Sequence, residues 1–298
     1  MSSETRTTIT VAGRARPTAL SRRRARTWRQ RLPARLLLVA ICASVAFPFF
    51  WILVNSLQPA AAVFATPPRF WPTHPQWRNY PDAWGAEPFG QFYVNSLLVS
   101  TAIIAGQVVT SGLAAYALSW VEFRLKGAVF FLILVALMIP EQLIVVPVFL
   151  ELHAVNWINT YQALIVPFLA SAFGIFLLRQ SFLRVPRPLI EAARLDGASH
   201  LQVFARVVAP LSLPGFITLI VLNFIWHYND FFWPLIMTNS DQYRTLPVGL
   251  AMFVQSGEGL VPWNQLMAAD IFTAIPLFVI FLVAQRYLVN GIVSSGLK

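Results

Sequence analysis

Six stretches of about 20 apolar residues, each long enough to cross a bilayer core as a helix, constrain this chain more than any other feature. They fall at roughly 34–57, 92–119, 127–150, 160–182, 212–236 and 267–288. With 57% hydrophobic and 11% charged residues, the chain is built for lipid rather than water. The fold predicted is therefore all-α and polytopic. Cys42 is the only cysteine, so an internal disulfide and a cysteine metal cluster are both excluded. Ala60-Ala61-Ala62 follows the first stretch in the manner of a cleavage site. The uncharged run from Leu36 to Pro68 is nevertheless much longer than the about 7–15 apolar residues of a secretion signal, and it reads as a retained anchor.

Charge sets the orientation. Ten of the 22 Lys and Arg residues precede residue 36, where Glu4 is the only acid. This arm, 1–33, is expected to be mobile and cytoplasmic, followed by a membrane domain over 34–298. A nucleic-acid role is set aside, because no groove-reading or base-stacking module follows the arm. If the connections alternate sides starting from inside, nineteen basic residues lie on one face. Only Arg69, Arg78 and Arg244 lie on the other. That bias predicts six spans with both termini cytoplasmic. The outer 58–91 connection, with seven prolines and Trp71, Trp77 and Trp84, is expected to be a turn-rich aromatic loop near the interface.

Machinery for catalysis is absent from the pattern. The only lysines are Lys126, preceded by Leu125, and the terminal Lys298, so no G-x-x-x-x-G-K-[ST] phosphate loop exists. Gly257-x-Gly259 runs into Pro262 and fails the dinucleotide pattern. His74, His153, His200 and His227 are scattered without H-E-x-x-H, and no G-x-S-x-G elbow occurs. The chain itself is predicted to bind no cofactor or metal.

Between the fourth and fifth stretches lies a segment that reads as two short helices. Pro188 suits a first helical turn, Glu191 suits that end of the helix dipole, and Gly197 suits a left-handed stop. Ser199 or Asp196 can cap the second helix. Ala192, Ala193 and Ala198 allow close approach of another surface, while Leu189, Leu195, Leu201 and Phe204 offer apolar contact. The segment reads either as a docking knob or as an amphipathic connector on the membrane surface.

Glu191-Ala192-Ala193-x-x-Asp196-Gly197-Ala198, with Pro210 and Pro214 beyond it, resembles the E-A-A loop of permease subunits of binding-protein-dependent ABC importers. Asn95-Ser96-Leu97, Ala115-Tyr116-Ala117-Leu118, Met138-Ile139-Pro140 with Pro147, and Asn229-Asp230-Phe231-Phe232-Trp233-Pro234-Leu235 join it. The tail Gln285-Arg286-Tyr287-x-x-x-Gly291, with Gly296 and Lys298, is similar to the carbohydrate-uptake branch, second permease of the pair, maltose or glycerol-phosphate type. The resemblance covers about residue 36 to the end. Two positions depart from it: Ser119-Trp120 replaces a basic residue, and Tyr228-Asn229-Asp230 replaces Trp-Asn-Asp.

The resemblance implies half of a heterodimeric sugar or sugar-like solute pathway in the inner (cytoplasmic) membrane. It implies as partners a second permease subunit, two ABC ATPase subunits that hold ATP and Mg, and an extracytoplasmic solute-binding protein. Glu191, Ala192, Ala193, Asp196, Gly197, Ala198, Leu201 and Phe204 would then couple the chain to an ATPase subunit, with Glu191 paired to a basic side chain there. The Gly291–Lys298 tail would reach between the ATPase subunits. Candidates for the translocation pathway are Glu141, Asn223, Trp226, Tyr228, Asn229 and Asp230, with Asn223, Trp226 and Asp230 expected on one helix face. Asp230 has a second reading as a cap of, or hydrogen-bond partner to, a bent helix. A competing expectation is a secondary transporter or channel using Glu141 and Asp230 as ion or proton sites.

Overall fold

A computed structural model of the chain describes residues 19–256 and 262–295, and the side chains of residues 33–254 and 262–285. Every regular element among the described residues is helical. The chain divides into two compact units, residues 1–51 and 52–298. The first contains most of α1 (Ala19–Ser56), which begins inside the basic arm and continues unbroken into the first apolar stretch. Residues 1–18 of the arm lie outside the described residues.

In the second unit, α2 (Ala60–Val63) and α3 (Asn79–Ala86) organise the connection to α4 (Phe89–Trp120). Asn79 Nδ2 donates to the carbonyls of Ser56 and Gln58 at 2.8 and 2.9 Å, closing the end of α1. There follow α5 (Lys126–Ala136), α6 (Glu141–Ala154), α7 (Tyr161–Ile165) with a 3-10 turn over Val166–Phe168, and α8 (Ala172–Phe182). The remainder comprises α9 (Arg187–Leu195), α10 (His200–Val203), a π-helical turn over Phe204–Val208, α11 (Ala209–Leu211), α12 (Leu213–Tyr228), α13 (Phe232–Met237), α14 (Leu246–Ser256) and α15 (Trp263–Ser295).

Among the described residues, four helical segments are long and apolar enough to cross a membrane: 33–56, 89–120, 161–182 and 263–285. Two further pairs qualify only as bent spans. The single helix expected over 127–150 is two helices, α5 and α6, meeting at 99°. Pro140 explains the break, since it donates no N–H and pushes the residue before it out of helical geometry; Pro140 itself is extended, at φ −64° and ψ 137°. The helix expected over 212–236 stops at Tyr228 and restarts as α13. Its 16 residues reach about 24 Å, short of the roughly 30 Å hydrocarbon core.

The central helix is α4, which contributes to three separate cores. One holds Phe89, Phe92, Phe224, Tyr228 and Ala268. A second holds Ala115, Tyr116, Phe182, Val203 and Leu219. A third holds Val99, Ile103, Leu164, Trp233 and Met237. Small residues let the helices approach closely: a Cβ on Gly174 would lie 2.7 Å from Ser111 Oγ, and one on Gly215 would lie 2.6 Å from Ser181 Oγ.

The C-terminal end of α4 carries Ser119-Trp120 in place of a basic residue, yet it does not lack cations. Lys126 Nζ donates to the Ser119 and Val121 carbonyls at 3.1 Å each, and Arg179 Nε donates to the Leu118 carbonyl at 3.3 Å. Positive groups at the negative end of the helix dipole thus come from two neighbouring elements.

Candidate functional site

The segment linking α8 to α12 forms a compact elbow, and its geometry follows from local chemistry. Pro186 enters in an extended conformation and Pro188 sits in the first turn of α9, where its missing N–H costs nothing. Gly197, at φ +83°, ends the helix; its N–H donates to the Arg194 carbonyl, and the Ala198 N–H to the Ala193 carbonyl, both at 3.0 Å. Of the two capping candidates, Ser199 is the one used. Its N–H donates to Gln202 Oε1 at 2.8 Å while its Oγ accepts from the Gln202 N–H, a complete capping box. Asp196 ends α9 instead. The chain then passes the π-helical turn and bends by 78° into α12.

One face of this elbow is locked to the helices and the other is free. Ile190, Val203 and Val208 are buried, and Ala193, Ala198 and Phe204 pack against the same core. Phe204 meets Tyr116 and Phe182 edge-on, at centroid distances of 5.6 and 6.2 Å, so it supports the elbow from within. His200 joins three elements: its Nδ1 lies 3.3 Å from Tyr116 Oη on α4, and its Nε2 lies 3.1 Å from Arg194 Nη1 on α9. On the opposite face Leu195 and Leu201 are 89% and 64% exposed, and Glu191, Ala192 and Asp196 are also exposed. Neither Glu191 nor Asp196 has an ion-pair partner among the described residues.

The pathway candidates separate into different environments. Asn223 is buried and donates through Nδ2 to Gln107 Oε1. Gln107 Nε2 donates in turn to the Phe168 carbonyl at 2.8 Å and lies 3.1 Å from His227 Nε2. Trp226, by contrast, is 65% exposed. Asp230 lies beyond the end of α12, so the expected common face of Asn223, Trp226 and Asp230 does not form. Helical spacing no longer relates Asp230 to the other two because α12 does not continue past Tyr228, and Asn223 is buried where Trp226 is exposed.

Tyr228 is fully buried and stacks on Phe224 at 5.3 Å between ring centroids. Asn229 Nδ2 donates to the Ile225 carbonyl at 2.7 Å. Asp230 Oδ1 accepts from the Trp233 N–H at 3.3 Å, a hydrogen bond to the first turn of α13. Glu141 opens α6 directly after Pro140.

Two anchoring residues carry more of the architecture than their sequence context suggested. Gln107 stands alone in an apolar run, where a polar residue within a span is itself the available signal. Asn95 was recognisable only as part of a motif. Its Nδ2 donates to the Gln242 and Arg244 carbonyls at 2.9 and 2.8 Å, and its Oδ1 accepts from Tyr161 Oη at 2.8 Å. The Gly291–Lys298 tail falls on residues without described side chains, and 296–298 lie outside the described residues altogether.

Comparison with known proteins places the fold among transport proteins. The family described as "Binding-protein-dependent transport system inner membrane component" matches residues 107–294. The sn-glycerol-3-phosphate transport system permease protein UgpE of Pectobacterium atrosepticum is 34% identical over 266 residues, covering 87% of this chain and 94% of that protein. UgpE of Salmonella typhi is 34% identical over 265 residues, with the same coverage of both chains. Among solved structures, a chain of a bacterial ABC transporter that imports the acidic polysaccharide alginate superposes with a TM-score of 0.77 at 21% identity, covering 92% of this chain and 99% of that one. A chain of the inward-facing MetNI methionine ABC transporter gives 0.52 at 18% identity, covering 68% of this chain and 93% of that one.

Proposed function

This chain belongs to the family of inner membrane components of binding-protein-dependent transport systems, a multi-pass permease rather than an enzyme, and on that premise we propose that it forms half of the pathway of an ATP-driven importer for a sugar or sugar-like solute. The chemistry of the solute is suggested by the relatives, which are named as sn-glycerol-3-phosphate permeases. Six spans with both termini cytoplasmic accord with the distribution of basic residues, counting α5 with α6 as one bent span and α12, entered from the cytoplasmic elbow, as the start of the fifth. The arm over 1–33 is the cytoplasmic appendage of the membrane domain over 34–298.

ATP and Mg are held by two separate ATPase subunits, consistent with the missing phosphate loop. A second permease subunit completes the pathway, and an extracytoplasmic binding protein delivers solute. The observation that carries the coupling role is the two-sided elbow. Its inner face is fixed to α4 and α8, while Glu191, Leu195 and Leu201 present an unpaired carboxylate and two leucines outward. Closure of the ATPase subunits would push this rigid elbow and rock the helices behind it. Glu191, Ala192, Ala193, Asp196, Gly197, Ala198, Leu201 and Phe204 act together here, Glu191, Ala192, Asp196, Gly197 and Leu201 at the contact and Ala193, Ala198 and Phe204 as its internal support.

Glu141, Asn223, Trp226, Tyr228, Asn229 and Asp230 remain the pathway candidates. Asn223 is the strongest of them, because it sits in the one polar network that ties α4, α12 and the 3-10 turn after α7 together. Family membership favours this importer over the self-sufficient carrier built on Glu141 and Asp230. The test is purification of Glu191→Ala from cells expressing all subunits. Loss of the ATPase subunits with the second permease retained supports the coupling role; unchanged recovery and unchanged uptake refute it.

A further inference from the structure

A single backbone carbonyl sets the hydrogen-bonding polarity of three side chains that α4 and α12 bring together. The Phe168 carbonyl can only accept, so the Gln107 atom 2.8 Å from it is Nε2, the donor. That amide leaves a second proton for His227 Nε2 at 3.1 Å, which must therefore accept, and hydrogen-bond complementarity assigns the ring proton to Nδ1. Gln107 Oε1 accepts from Asn223 Nδ2, which leaves Asn223 Oδ1 as an acceptor. Two atoms remain: a donor, His227 Nδ1–H, and an acceptor, Asn223 Oδ1. Neither has a hydrogen-bond partner among the described residues, and neither is fully enclosed.

Their placement suits a polar solute rather than a lipid chain. Asn223 and His227 are four residues apart on α12 and so share a face, about 5–6 Å apart at Cβ. Counted from Leu213, they lie about 15 and 21 Å along the helix, on either side of the middle of a hydrocarbon core roughly 30 Å thick. Polar atoms at that depth call for a partner or a water-filled space. The adjoining break in the 161–182 span is held by α4, where Thr110 Oγ1 donates to the Leu169 carbonyl at 2.6 Å beside the Gln107 bond to Phe168. No Lys or Arg occurs over 89–123, 127–178, 207–243 or 245–285, so this chain sets no positive charge at that level. A phosphate or carboxylate there would lack a counter-charge from this chain, whereas a hydroxyl group both donates and accepts and matches the pair. We propose that Asn223 Oδ1 and His227 Nδ1–H form a subsite for the hydroxyl groups of an uncharged sugar or polyol, with Gln107 fixing their polarity. This rests on the importer reading given above and narrows its solute.

The complete importer with its binding protein, carrying Asn223→Cys or His227→Cys in a Cys42→Ser background, tests the subsite by modification of this chain with a membrane-impermeant methanethiosulfonate. Both cysteines are expected to react in the nucleotide-free or the vanadate-trapped state. A member of an uncharged panel of maltose, trehalose and sorbitol is expected to slow the reaction several-fold, while sn-glycerol 3-phosphate and glucuronate do not. Unreactive cysteines in both states, protection by either anion, or protection by none of the uncharged solutes overturns the proposal. A second pair of variants separates solute contact from packing. His227→Asn retains a donor at the place of Nδ1 and His227→Leu does not, while both lose the Nε2 bond to Gln107. Uptake of the protecting solute is expected to persist in the Asn variant and to fall several-fold in the Leu variant; equal uptake by the two overturns the subsite. Co-purification of ATPase subunits with the native chain is scored separately, so failure of the importer reading and failure of the subsite are distinguishable.

Discussion

Asn223 and Gln107 illustrate how a polar side chain in a span is used. Gln107 offers an acceptor to Asn223 and a donor to the Phe168 carbonyl, which the break after α7 leaves without a helical partner. Gln107→Leu removes both roles and strands a buried amide and a part-buried carbonyl. A loss of about 1–3 kcal/mol in stability is expected, measured as unfolding in detergent. Asn223→Ala is expected to lower uptake while assembly and ATPase stimulation persist; parallel loss of all three would make Asn223 a packing residue. The sequence exposed Asn223 as a candidate but not its partner. Gln107 lies 116 positions away, and only the tertiary fold joins them.

At the scale of elements, helices were legible where apolar length and proline position agreed. The turn at Gly197 and a cap at Ser199 follow from local rules, whereas the stop at Pro140 falls inside a stretch expected to be one helix. What spacing alone did not reveal is bending: an apolar run of the right length reads the same whether α5 and α6 are collinear or meet at 99°. Close packing was equally hidden, because a glycine in an apolar run does not announce which helix it faces. Gly174→Val and Gly215→Val should each force α8 or α12 away from its neighbour, costing about 1–3 kcal/mol. Thermal unfolding in detergent should show lowered stability for both, whereas Gly85→Ala, with open space around its position, should leave it unchanged.

For the molecule as a whole, the elbow between α8 and α12 is held from inside by Tyr116, Phe182 and Phe204 and steadied by the His200 bridge from α4 to Arg194. Rigid attachment is what lets force applied outside reach the helices within. Tyr116→Phe together with His200→Ala should therefore lower uptake several-fold while ATPase subunits still co-purify, separating transmission from docking. The docking itself is tested most directly by site-specific cross-linking in native membranes, with Leu195→Cys in a Cys42→Ser background and all partner subunits present. The account predicts a covalent adduct between residue 195 and an ATPase subunit; a residue 195 that reacts freely with soluble thiol reagents in the intact assembly, and never with an ATPase, would contradict it.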